Sequence, residues 1–288
     1  LTALAMKCGA VPMHMWMPDA YAEAPAGVTC ALIAVSQASL YGLFRVTYTI
    51  FGAFMGSPVI PWVIIVLGVL SMFIGVSMAV IQKEVGRLIA YHSVSQVGYM
   101  LLGFGVGLLA LSDARAMAEY GFTALKGGVY HIVNYTMYKG LLFLSAGALY
   151  YATGCRNLND MGGLGRKMPK TMALFMIAAA AIAGLPPFNG FVSKLFLYES
   201  TFAVHPILAV FAMVTSVLTL ASFVKIFQTA FLGPALQKFE GVREVPGTML
   251  LGMSVLGVAI LALSLFPTWS VNHLVEPAAK ALVDQASY

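Results

Sequence analysis

Charge is the scarcest property of this sequence. Asp, Glu, Lys and Arg together make up 9% of its 288 residues, against about 25% in an ordinary soluble domain. Cysteine is also rare. Cys8, Cys30 and Cys155 lie far apart, with no C-x-x-C or histidine-rich spacing beside them, so neither a disulfide framework nor a zinc site is expected. No glycine-rich nucleotide loop appears either, so no cofactor is expected and electron transfer has no home in this chain. Sixteen Lys and Arg give a formal net charge of +5, but they are scattered among apolar runs. Without a basic patch, a nucleic-acid partner is not expected. Disorder is excluded by the same composition, because it requires low hydrophobicity and high net charge.

What the chain does have is apolar residues, at 60%. They fall in stretches near the 20 residues needed to cross a hydrocarbon core about 30 Å thick. Eight spans are predicted in one transmembrane domain covering residues 1–288: a partial one at 1–17, then 27–50, 59–81, 89–111, 127–152, 170–199, 206–232 and 248–268. These runs do not alternate over segments of about 10 residues, as a membrane β-barrel would require. The expected class is all-α, a polytopic transmembrane helical bundle. The chain opens with Leu1 on a run shorter than a full crossing, so further helices are expected upstream. A cleavable leader is not expected there, because Lys7 and Pro12 interrupt the apolar stretch.

Loop charge sets an expected orientation. Alternate loops hold Lys83, Arg87, Arg156, Arg166, Lys167, Lys170, Lys238 and Arg243 on one side, against Arg115, Lys126 and Lys280 on the other. The rule that cytoplasmic loops are rich in Lys and Arg places 82–88, 153–169 and 233–247 in the cytoplasm of a cell carrying the chain in its inner membrane.

Inside a bilayer the informative residue is the ionisable one, since a mid-depth lysine costs about 2.5–3.5 kcal/mol on insertion scales. Lys139 is the thirteenth residue of the span 127–152, about 15 Å from either edge at 1.5 Å per residue. Lys194 and Lys7 also have apolar neighbours on both sides. Snorkelling toward a helix end is the alternative for each, and for Lys225 it is the preferred reading. His131, Tyr135 and Lys139 stand at i, i+4 and i+8, on one helical stripe. A histidine so placed is either a satisfied core residue or part of a relay.

The sixth span, 170–199, carries Gly184-Leu185-Pro186-Pro187-Phe188-Asn189-Gly190 at its centre. Pro186 and Pro187 remove two backbone donors and clash with the preceding turn, so the helix must break there. Broken backbone at that depth is tolerated where protein or a water-lined cavity satisfies it, and it recurs in ion transporters. A packing kink is the alternative. Pro12 and Pro25 bracket the reentry between the first two spans, with Asp19 and Glu23 expected in solvent.

Four stretches carry a family resemblance. The run Met6-Lys7-Cys8-Gly9-Ala10-Val11-Pro12-Met13-His14-Met15-Trp16-Met17-Pro18-Asp19-Ala20, the segment Gln82 to Tyr99, the stripe His131 to Lys139 with the following Gly140-Leu141-Leu142-Phe143-Leu144, and Gly184 to Lys194 occur in this order. Together they resemble the seventh, tenth, eleventh and broken twelfth helices of the proton-pumping membrane subunits of respiratory complex I. Mrp-type sodium/proton antiporters and energy-converting hydrogenases, including hydrogenase-4, contain relatives of these subunits. The resemblance runs from helix seven to helix fourteen of a fourteen-helix, antiporter-like fold with discontinuous helices. It implies one nearly whole inverted repeat, a cytoplasmic turn after helix seven, and a glutamate partner for Lys7 upstream of Leu1.

By position, the resemblance makes Lys7 the central lysine of a first half-channel, His131 and Lys139 members of a hydrated axis, and Lys194 the terminal lysine of the second. Gln37, Asn134 and Tyr135 would line the same pathway. Gln37 stands where a lysine or histidine is common, and Tyr135 where a second histidine is common. A glutamine orients water without storing a proton, and a tyrosine is a poor store near neutral pH. The implied function is proton, or Na+, translocation by a membrane subunit of a redox-driven pump or cation/proton antiporter. Its partners would be other membrane subunits, H+ or Na+, and the lipid bilayer. The alternative is a non-conducting scaffold subunit of a hydrogenase or quinone-oxidoreductase complex, as Gln37 and Tyr135 would permit.

Overall fold

The computed structural model describes residues 2–51 and 58–284. Leu1, where the first predicted span begins, lies outside them. The first span is two short helices, α1 (Thr2–Cys8) and α2 (Trp16–Glu23), separated by a turn through Gly9 and Pro12. α3 (Ala26–Val46) runs into a π-helical turn, Thr47–Phe51, and α4 (Val59–Ile81) and α5 (Val85–Leu109) follow. The one-turn α6 (Ala114–Ala116) and a second π turn lead into α7 (Phe122–Thr153), which has 32 residues and starts five residues before its predicted span.

The proline-broken span is α8 (Pro169–Ala183) and α9 (Asn189–Val204). After them come α10 (Pro206–Ile226) and α11 (Gly247–Leu265). The sequence pattern missed a terminal pair, α12 (Pro267–Ser270) and α13 (Glu276–Val283). This pair returns to pack on α7 and on the turn after α3, where the Arg45 guanidinium donates to Ala281 O.

Four helical segments among the described residues are long and apolar enough to cross a membrane by length and composition: Ala26–Ile50, Val59–Ile81, Pro206–Phe231 and Gly247–Leu265. α5 and α7 are as long but carry more polar side chains. Their position explains it. α5 is packed by α2, α4, α7, α9 and α10, and nearly every residue from Leu88 to Leu108 is buried. A helix enclosed by protein on all sides can hold polar groups that a lipid-facing helix cannot.

α4 and α5 meet almost backbone to backbone. A Cβ on Gly75 would lie 2.5 Å from Ser95 N, and one on Gly98 would lie 2.5 Å from both Gly68 O and Met72 N. Small residues at such spacings let membrane helices approach closely when lipid offers no hydrophobic drive between them. Gly98→Ala is therefore expected to force the pair apart at a cost of about 1–3 kcal/mol, read as a lower thermal midpoint in detergent.

Three loops share one end of the bundle. Val85 N donates to Arg156 O and Leu158 N to Lys83 O, at 3.0 and 2.7 Å, which pins 82–88 to 153–169. Lys167 Nζ reaches Glu240 O at 3.0 Å, and the Glu244 carboxylate accepts from Lys170 N and Thr171 Oγ1 at 2.8 and 2.6 Å. These bonds bring 233–247 to the same end. Asp19 and Glu23 belong to α2 rather than to a loop, yet both are exposed there, paired with Arg87 at 3.3 Å and Arg156 at 2.7 Å. Lys225 does more than reach for a surface. Its ammonium donates to Val80 O and Gln82 O at 3.0 and 2.7 Å, a cation on the carbonyl end of α4.

Candidate functional site

Three of the four sequence-predicted ionisable residues lie in the interior. Lys139, near the middle of α7, is fully buried, and its ammonium donates to Ile89 O of α5. The rings of Tyr135 and Phe143 flank it at 6.0 and 5.9 Å. Among the described residues no carboxylate touches it, and a main-chain carbonyl and two π-faces hold the amine.

His131, two turns toward the start of α7, is also fully buried and joins three helices. Its Nε2 lies 3.0 Å from Gln96 Oε1 of α5, and its Nδ1 lies 3.0 Å from Ser193 Oγ of α9. Gln96 Oε1 is an acceptor, so the proton of a neutral ring sits on Nε2, and Nδ1 accepts from the serine hydroxyl. Ser193 Oγ also lies 3.1 Å from Gly190 O. If the ring gains a second proton, Nδ1–H donates to Ser193, whose hydroxyl turns to Gly190 O. One rotation of one hydroxyl therefore accommodates both charge states.

The prolines produce the break they imply. α8 ends at Gly184, whose φ of 76° is a left-handed cap that glycine adopts at no steric cost. Leu185, Pro186 and Pro187 are exposed, and α9 begins at Asn189. Asn189 and Asn134 exchange hydrogen bonds: Asn189 Nδ2 donates to Asn134 Oδ1 at 2.8 Å, and Asn134 Nδ2 to Asn189 O at 3.1 Å. Asn134 thereby fixes the start of the second half-helix to α7.

Breaking a helix strands the carbonyls of its last turn. Lys194 answers that need: its Nζ donates to Ile182 O at 2.9 Å, Ala183 O at 3.3 Å and Ser216 Oγ at 2.6 Å. A buried cation thus sits on the negative end of the α8 dipole, the arrangement that broken helices provide for coupling ions. The same ammonium lies 4.9 Å from the centre of the Tyr99 ring.

Lys7 is placed otherwise. It is exposed on α1, which packs against α3 at the edge of the bundle, and the structure does not bring it to the other three. Gln37 is buried on α3, with neither amide atom paired among the described residues. Tyr135 is fully buried, and its hydroxyl faces Ser93 without closing a hydrogen bond.

Sequence reasoning missed the contribution of α5. Gln96 links His131 to the Tyr138 hydroxyl, whose oxygen is 3.3 Å from Gln96 Oε1, and the Tyr99 ring lies 5.5 Å from that of His131. These residues stand in the quoted segment Gln82 to Tyr99. Because α5 is polar on several faces and enclosed all round, no stripe marks them.

The family described as NADH:quinone oxidoreductase/Mrp antiporter, TM, matches residues 1–219. Formate hydrogenlyase subunit 3 of Escherichia coli (strain K12) is 32% identical over 271 residues, which cover 88% of this chain and 43% of the relative. NADH-quinone oxidoreductase subunit N of Desulforudis audaxviator (strain MP104C) is 31% identical over 296 residues, covering 96% of this chain and 56% of the relative. A chain in the structure of the Mrp complex from Dietzia sp. DQ12-45-1b superposes with a TM-score of 0.87 at 28% identity, over 100% of this chain and 59% of that one. This chain spans about half the length of the curated relatives it matches. Motifs, fold and relatives agree: the chain belongs to the transmembrane family of NADH:quinone oxidoreductase and Mrp antiporter subunits.

Proposed function

We propose that this chain translocates protons, or Na+, as a membrane subunit of a multisubunit redox-driven pump or cation/proton antiporter. The observation that carries this reading is the fully buried polar chain from Lys139 through α5 and His131 to Lys194, which ends on a broken helix. Nothing in packing alone requires two amines and an imidazole there, and each costs desolvation energy that a hydrophobic residue would not. Lys139, His131 and Lys194 hold and pass the proton. Gln37, Asn134 and Tyr135 line or position the route, and Pro186 and Pro187 open the helix that Lys194 caps.

Lys7 acts in this reading at a second, adjacent pathway. The names of the relatives mark them as subunits, which supports membrane subunits as partners of this chain. The loops 82–88, 153–169 and 233–247, which share one end of the bundle, face the cytoplasm across the inner membrane, as their Lys and Arg content supports.

The test is ion uptake by sealed vesicles holding the complete complex. Lys194→Met removes the charge and keeps the length. The carbonyls it uncovers cost about 1–3 kcal/mol, so assembly is expected to persist while uptake falls at least tenfold. Uptake that continues in Na+-free medium identifies the proton as the ion. A Lys194→Met complex that translocates at the wild-type rate would instead leave the scaffold role.

A further inference from the structure

His92 lies in the interior, and nothing above uses it. It sits on α5, fully buried, and neither ring nitrogen has a hydrogen-bond partner among the described residues. One face of its ring stacks on Phe223 of α10 at 4.9 Å and 29°. Leaving both nitrogens of a buried imidazole unpaired costs the desolvation of each. A residue present only to pack on Phe223 would be phenylalanine or leucine.

The position along α5 is informative. Ile89, His92, Gln96 and Tyr99 stand at i, i+3, i+7 and i+10, on one face of the helix. Ile89 O accepts from Lys139, Gln96 Oε1 accepts from His131, and the Tyr99 ring lies beneath the Lys194 ammonium. His92 is therefore the titratable side chain in the interval between the Lys139 contact and the His131 and Lys194 contacts. The charges of both lysines act on it. On α7 the matching interval between His131 and Lys139 is occupied by Tyr135, which cannot store a proton near neutral pH.

We infer that His92 is a proton-transfer group of the interior axis, supplying from α5 the imidazole that α7 lacks at Tyr135. The inference rests on the reading of this chain as an ion-translocating subunit. In the step it performs, the Lys139 ammonium gives a proton to one ring nitrogen of neutral His92 through bridging water, leaving a neutral amine and an imidazolium. The proton on the other ring nitrogen then passes to the neutral amine of Lys194. His92 returns to the neutral state as the other tautomer, and one proton has moved. The ring is anchored by its face alone, so both nitrogens remain free to accept and donate.

The experiment compares His92→Phe, His92→Phe with Tyr135→His, and Lys139→Met in the complete complex in sealed vesicles. Phenylalanine keeps the stack on Phe223, so assembly and thermal stability should match or exceed wild type, while translocation falls at least tenfold. Adding Tyr135→His returns an imidazole to the same interval from the facing helix and should restore translocation, which a purely packing role would not produce. Translocation at the wild-type rate in His92→Phe, or no recovery in the double variant, overturns the inference. If Lys139→Met still abolishes translocation in that case, the functional reading stands without His92. If Lys139→Met is also silent, both fall. Should His92→Phe fail to assemble, His92→Gln is judged by the same two criteria.

Discussion

Lys139→Met in the complete complex is expected to abolish ion translocation and leave assembly untouched. Methionine nearly matches the length of lysine and fills the space between the Tyr135 and Phe143 rings, which lie about 6 Å from the ammonium. What is lost is one hydrogen bond from the ammonium to Ile89 O, worth about 1.5–3 kcal/mol for a charged donor. The desolvation cost of a buried amine is lost with it, so the variant should be as stable as wild type or more so. Function should move the other way, because removal of the proton carrier interrupts the chain between α5 and α7. Ion uptake in vesicles and the thermal midpoint of the detergent-solubilised complex separate the two effects. An active Lys139→Met complex would make the lysine a relic.

Gly190→Ala is expected to damage both stability and transport. A Cβ on Gly190 would overlap Ala181 O and lie 2.9 Å from Ala181 C, all of it backbone that no rotamer change can clear. α8 and α9 must therefore move apart where the prolines break the span. That movement draws Lys194 from Ile182 O and Ala183 O and uncovers the end of α8. Overpacking of this kind costs about 1–3 kcal/mol, occasionally more. The expected result is a lower thermal midpoint together with a fall of at least tenfold in translocation. Gly252→Ala is the control: nothing lies within 4 Å of its added Cβ, and alanine in a helix interior is favoured by about 0.5–1 kcal/mol. Equal behaviour of the two variants would refute the close approach at the break.

Much of this architecture was legible in the sequence because lipid punishes exceptions. A lysine at mid-span and two adjacent prolines are costly in a bilayer, so Lys139, Lys194 and the break at Pro186 and Pro187 stand out against apolar neighbours. The structure buries both lysines and opens the helix between Gly184 and Asn189. α5 was not legible in the same way. His92, Ser93, Ser95 and Gln96 are all buried within little more than one turn, and a helix enclosed on every side has no polar face to reveal its orientation.

Two further features escaped for different reasons. Lys7 reads as deep from its neighbours alone, but whether a side chain is covered depends on what packs against the helix, and in the structure α1 leaves it exposed. The segment after Phe266 is too short and too mixed to read as a span. Its place against α7 and the turn after α3 depends on long-range contacts, such as that of Arg45 with Ala281, which no local pattern encodes.

A high-resolution cryo-EM map of the complete complex bears most directly on whether buried amines and a polar interior carry the ion. Ordered water is expected against the unpaired atoms of His92, Gln96 and Asn189, forming a continuous file between the Lys139 and Lys194 ammonium groups inside the bundle. Both ammonium groups extending to the headgroups, with a dry apolar interior between them, would refute proton transfer through this core.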